Sequence, residues 1–159
     1  MNTDTFEKSR RISIFFGAGS KQTNPAEGSN YFICVLMADH NWMLTPKSGI
    51  GLGPDVFFDN SIPKKLKQEQ EQTTDALDKF RAGFHGGYEL VIGDVSLQLQ
   101  MGAYVFSRYT KDGSLYHRLA LRYRINERLF AGLQLKTHWG KADFIETGIG
   151  YSITKTRKK

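Results

Sequence analysis

The sequence predicts an all-β fold: an eight-stranded antiparallel up-and-down barrel of the outer-membrane type. Three observations carry this. Stretches that alternate apolar and polar residues recur along the whole chain. They number eight, an even count. The connections between them alternate between long and short, which puts loops at one end of a barrel and tight turns at the other. The composition agrees: 13% of the 159 residues are aromatic, and there are 16 Gly but only 4 Pro. This length suits one domain, residues 1–159, enough to close a small barrel.

The elements follow in order. The first strand covers about residues 11–19, with Ile12, Ile14, Phe16 and Ala18 on one face. The second, 31–44, is apolar on both faces as far as Met37. It contains Cys34, which reads as a small hydrophobe; as the only cysteine it excludes an internal disulfide. In the third, 48–58, Gly49, Gly51 and Gly53 alternate with Ile50 and Leu52. The fourth is 81–92. The fifth, 95–107, has the clearest period of two: Val95, Leu97, Leu99, Met101, Ala103 and Val105 against Ser96, Gln98, Gln100, Gly102, Tyr104 and Phe106. The sixth, 116–124, sets Leu119 and Leu121 against Arg118 and Arg122. The seventh and eighth form a hairpin, 129–153, with its turn at Gly140–Lys141. His138 and Glu146 then share the less apolar face of adjacent strands. Connections 20–30, 59–80 and 109–115 are long, and 45–47, 93–94 and 125–128 are short. The polar stretch 60–80 is helix-prone and is expected to be a short helix or irregular.

The glycines decide which face looks out. Gly49, Gly51, Gly53, Gly102, Gly132, Gly148 and Gly150 all fall on the polar face. Small residues suit the crowded inside of a narrow barrel, whereas on an exposed face they only weaken a strand. A soluble lipid-binding barrel, which turns its apolar face inward, is disfavoured for the same reason. Leu97, Leu99, Met101, Leu133, Leu135, Ile145 and Ile149 are therefore expected to face lipid. Arg118, Arg122, Glu89 and Glu146 are expected to join a polar lumen network, with Asp55 a further partner, because Arg inside a barrel needs carboxylates. Trp42, Tyr104, Tyr116, Tyr123, Trp139 and Tyr151 lie near strand ends, as interfacial girdles require. Asp39 and His40 read as a polar strand end beside a turn, and His85 and His117 as structural or exposed.

The formal charge is +6, with cations in the tail (Lys155, Arg157, Lys158, Lys159) and at Lys64, Lys65 and Lys67. Solvated ends and loops explain most of it, and an anionic lipid surface is the other reading. No nucleic-acid motif accompanies the charge, so no nucleic-acid partner is expected. No cofactor or metal is expected: Gly86–Gly87 lacks the context of a phosphate loop. No run of apolar residues is long enough for a transmembrane helix. Residues 1–11 are polar and carry no signal-peptide pattern. That alone argues for the cytoplasm, but an exported chain whose signal peptide has been removed starts the same way, and this is the expectation taken with the barrel.

The run KTHWGKADFIETGIGY on the last hairpin resembles the outer-membrane lipid A 3-O-deacylase, or acyloxyacyl-hydrolase-like, family. The resemblance covers about residues 128–153, with only strand number and loop rhythm agreeing elsewhere. It implies an eight-stranded membrane barrel that hydrolyses an ester-linked acyl chain of lipid A with a His, a Ser and a Glu. His138 matches the family His, and Glu146 is the best match to the Glu. The family pattern has Ser two residues after the His, where this sequence has Gly140. The implied partners are lipid A or a phospholipid. The other implied reading is a catalytically inactive outer-membrane barrel, structural or accessory to a complex with other outer-membrane proteins. With a regular turn at Gly140–Lys141, Glu146 is expected opposite Leu135, about 10 Å along the strand from His138.

Overall fold

In the computed structural model, which describes residues 9–22, 28–69, 76–139 and 141–156, eight antiparallel strands close on themselves in chain order. They are β1 (Ser9–Gln22), β2 (Asn30–Thr45), β3 (Ser48–Asp59), β4 (Phe80–Ile92), β5 (Val95–Ser107), β6 (Leu115–Arg124), β7 (Leu129–His138) and β8 (Lys141–Thr156). Closure comes from β1 pairing with β8, from Ser9 opposite Thr156 to Ser20 opposite Ile145. Each strand is long enough to cross a bilayer at the tilt a barrel imposes. No helix among the described residues is long and apolar enough to do so.

The outer surface is apolar. Ile12, Ile14, Phe16, Leu36, Leu97, Leu99, Met101, Leu133, Ile145 and Ile149 are all exposed, and Leu135 lies on the same face. In water such a band would be a liability; in hydrocarbon it is the solvent-matched surface. Cys34 faces the same way as a free thiol.

Two materials fill the inside. One is aromatic and aliphatic: Phe15, Ile33, Val35, Met37, Phe57, Tyr116, Phe130 and Phe144 form a buried cluster. This explains why the first half of β2 is apolar on both faces: Ile33, Val35 and Met37 face in, Phe32 and Leu36 face out. The other is charged and is described below. Glycines make room for the rings. A Cβ on Gly102 would lie 2.2 Å from the Tyr116 ring, and one on Gly150 would lie 2.1 Å from Phe130.

Three expectations need correction. Tyr104 and Tyr116 are not girdle residues: Tyr116 is fully buried and packs against Tyr104 inside the barrel, as their place in the period-two pattern requires. Asp39 does not end a strand, because β2 continues six residues beyond it and the carboxylate is buried. Of the two readings of His85, structural or exposed, the structural one holds, with the ring buried between two carboxylates. The last turn falls one residue earlier, with His138 opposite Lys141 and Trp139 in the left-handed region at φ 48°. Gly140 and the tail cations Arg157, Lys158 and Lys159 lie outside the described residues. The stretch after β3 forms helix α1 (Ile62–Gln68), which buries Ile62 and Leu66, and a 3-10 turn at Ala76–Lys79.

Candidate functional site at the long-loop rim

The charges inside the barrel form two groups at different depths. The deeper is a closed knot. His85 bridges Asp39 and Asp55, at 2.8 Å from Nε2 and 2.9 Å from Nδ1. Arg122 donates to Asp39 at 2.7 Å, and Arg118 pairs with Asp55 at 3.2 Å and donates to Gln100 at 2.9 Å. The Tyr116 hydroxyl donates to Asp55. The side chains of His85, Asp39, Asp55 and Arg118 are almost wholly out of solvent. Two anions, two Arg and a shared imidazole compensate one another, which is what lets ions persist in a narrow lumen. Arg118 and Arg122 thus find the partners expected of them in kind, though Asp39 does the work assigned to others. Glu89 pairs with Arg11 instead.

The shallower group lies where β1, β4, β5, β7 and β8 reach the long loops. Its centre is Asp143. A register shift between Lys136 and Thr137 leaves Asp143 as an extra residue on β8: Thr137 opposes Ala142 and Lys136 opposes Phe144. A bulge re-aims the side chain of its extra residue. Here it turns Asp143 inward, against the alternation that would have sent it out. Its carboxylate meets Lys21, lies 3.4 Å from Lys136 Nζ, and lies 3.4 Å from His138 Nδ1. On the other side of the imidazole, the Tyr104 hydroxyl is 3.0 Å from His138 Nε2. Tyr104 in turn is 3.4 Å from Arg81 Nη1. The order is carboxylate, imidazole, hydroxyl, guanidinium.

Lys136 is buried under this chain, its ammonium 4.2 Å from the centre of the Phe57 ring and 4.9 Å from that of Phe144. Ring faces stabilise a cation that has left water, and Asp143 completes its surroundings. Above, Asp112 in the loop after β5 accepts from Lys65 of α1 at 2.9 Å and from Arg81 at 2.8 Å. Burial pushes the Asp112 carboxyl upward, but the Lys65 and Arg81 contacts outweigh it and hold it at about 2. A cavity of about 270 Å³ opens over the group, lined by Lys21, Lys65, Lys111, Asp112, His138 and Asp143 among others.

Of the two expected site residues, His138 is here and Glu146 is not. Glu146 faces the lumen, as expected, but opposite Gln134 rather than Leu135, four residues along β7 from His138, about 13 Å by strand rise. It is buried, and neither carboxylate oxygen accepts a hydrogen bond among the described residues. The residue at His138 is Asp143. In a regular strand Asp143 would face away from Glu146, and a bulge leaves no mark in the alternation. Tyr104 was legible, since it falls on the inward parity of β5, but its position near a strand end suggested a girdle. No group of His, Cys and carboxylate side chains among the described residues is arranged to hold a metal ion.

A hydroxyl at Nε2 and a carboxylate on the Nδ1 side favour the tautomer in which Nδ1 carries the proton and Nε2 is the acceptor. That is the state a general base needs.

Comparisons with known proteins bear on the family and the fold. A family model described as acyloxyacyl hydrolase, C-terminal domain, matches residues 10–156, which is every strand. No curated protein matches the chain. Among solved structures, a barrel from the de novo design of transmembrane β-barrels is 13% identical, with 90% of this chain and 95% of that one covered and a TM-score of 0.50. Ail, the attachment invasion locus protein of Yersinia pestis, solved with the heparin analogue sucrose octasulfate, is 13% identical, with 93% and 100% covered and a TM-score of 0.49.

Proposed function

Starting from the fact that the chain belongs to the acyloxyacyl hydrolase C-terminal-domain family, we propose that it sits in a bacterial outer membrane and hydrolyses an ester-linked acyl chain of lipid A, with His138 as general base. The observation that carries this is the placement of His138 between the Asp143 carboxylate and the Tyr104 hydroxyl, beside a solvent-open cavity at the long-loop rim. The long-loop end of such a barrel faces the outer leaflet, where lipid A resides. Lys21, Lys65 and Lys111 line the cavity and suit the phosphates of an acylated sugar.

Asp143 takes the orienting role that the family resemblance assigned to Glu146. The attacking oxygen is a water that replaces the Tyr104 hydroxyl at Nε2, because Gly140 supplies no serine hydroxyl. His138 takes the water proton as the oxygen adds to the ester carbonyl. The tetrahedral adduct collapses, the sugar oxygen leaves with the proton returned by His138, and a free fatty acid is released.

A second reading is favoured by one specific pair of facts. Gly140 stands in the Ser position, and Tyr104 already occupies the His138 acceptor. An inactive barrel serving other outer-membrane proteins would show both. The two readings part on mass spectrometry of lipid A incubated with the inserted protein. Hydrolysis predicts loss of one acyl chain, abolished by His138→Ala with heat-modifiable gel mobility unchanged. No loss from any lipid A or phospholipid offered to the wild-type protein overturns the hydrolase reading and favours the accessory one.

A further inference from the structure

At the opposite, short-turn end, the outer face of the barrel carries a row of four side chains at one level. Arg10 of β1 lies directly opposite Lys155 of β8 and Trp42 of β2, and Trp42 lies opposite Ile50 of β3. They border a groove of about 630 Å³ whose lining includes Met43 and Leu44 and, among the described residues, no Asp or Glu. We infer that this groove holds the headgroup of an anionic phospholipid in the leaflet that the short turns face, its phosphate between Arg10 and Lys155.

The like-charge pair is the first argument. Cross-strand neighbours have Cβ atoms about 5 Å apart, and two cations there repel. Among the described residues neither Arg10 nor Lys155 makes an ion pair. At the same end Arg11 has Glu89 and Arg124 has Asp94 at 2.6 Å. A phosphate between Arg10 and Lys155 turns the repulsion into two charge-assisted contacts.

The surroundings select a lipid over a free anion. One step toward the bilayer centre, the next outward row is Ile153, Ile12, His40 and Leu52, paired strand to strand. The groove is therefore continuous with the hydrocarbon-facing band, and acyl chains leaving the phosphate have an apolar surface to follow. Trp42 stacks on His40 at 4.2 Å between ring centres, an amphipathic pair at the depth of the carbonyl groups. Short turns mark the periplasmic side, where the leaflet is glycerophospholipid rather than lipid A.

The inference rests on the membrane reading of the barrel and is independent of whether the rim is catalytic. The test uses Trp42 as reporter. The chain has two Trp, so Trp139→Phe leaves Trp42 alone. This protein is inserted into phosphatidylcholine vesicles containing a trace of brominated phosphatidylglycerol, or the same trace of brominated phosphatidylcholine. Several-fold stronger quenching of Trp42 by the anionic lipid is expected. The preference should vanish in the Arg10→Gln/Lys155→Gln double variant, and equal quenching by the two lipids in the parent protein overturns the site. Heat-modifiable mobility is read in parallel, and failure to insert into either vesicle refutes the membrane reading and the site with it.

Discussion

The deep knot around His85 and the rim group around His138 are built from the same residue types and do opposite things. Each has an imidazole flanked by a carboxylate, with Arg and Tyr close by. In the knot both imidazole nitrogens meet carboxylates, and hardly any atom touches solvent. At the rim one nitrogen meets Asp143, the other a phenol, and a cavity opens beside them. An imidazole with a carboxylate at each nitrogen and no access to solvent serves the fold. An imidazole with one anion and one exchangeable hydroxyl keeps an acceptor available and can move a proton. Chemistry here depends on what is left uncompensated and open to water.

The largest effect should come from breaking the knot. Asp55→Leu strands His85, Arg118 and the Tyr116 hydroxyl together. Removing one partner of a buried ion pair costs about 3–5 kcal/mol. Urea unfolding in vesicles should show a loss of that order, while the same change at Asp94, an exposed partner of Arg124, should cost no more than about 1 kcal/mol.

The rim is sharpened by a pair of variants. Asp143→Asn should lower the deacylation rate by about two to four orders of magnitude by releasing the His138 tautomer. Glu146→Gln, remote from His138, should leave the rate within a few-fold. The opposite ranking would return the orienting role to Glu146 and refute the bulge argument.

A packing variant probes the aromatic fill beside the knot. Gly102→Ala places a methyl where the Tyr116 ring lies and should cost about 1–3 kcal/mol by displacing the ring from Asp55. Unchanged stability would mean that the ring has room to shift.

The smallest effect is a pH effect at the loops. The Asp112 carboxyl sits at about 2, below its usual 3.8, because Lys65 and Arg81 hold it charged. A depressed carboxylate contributes stability that is full above the unfolded value and is lost as pH falls through the folded one, here from about 4 to about 2. Pepsin should cleave the α1 and β5–β6 loops faster as pH falls through that window, with the barrel intact. Asp112→Asn should cleave fast throughout and lose the dependence.

Much of this was legible in the sequence because a strand's period of two is a hard geometric rule. It predicts which side of β5 meets lipid, that Arg118 and Arg122 face in, and that Gly102, Gly132 and Gly150 leave space where rings pass. It also predicts that His138 and Glu146 share a face. What it could not supply was register. One early turn and one bulge near Thr137 moved Glu146 by a rung and swung Asp143 inward, and neither event disturbs the alternation that reveals the strands.

By itself, then, the sequence determined the strand count, the orientation of the faces and the family. The first two follow from local chemistry, side-chain polarity, backbone freedom and loop length, and the family from the resemblance of the run KTHWGKADFIETGIGY. Only the tertiary structure decided which ions meet. Pairings such as Asp39 with Arg122, His85 with Asp55, or Arg10 with Lys155 depend on closure and on the stagger between strands far apart in the chain, and partners across a barrel share no local signal.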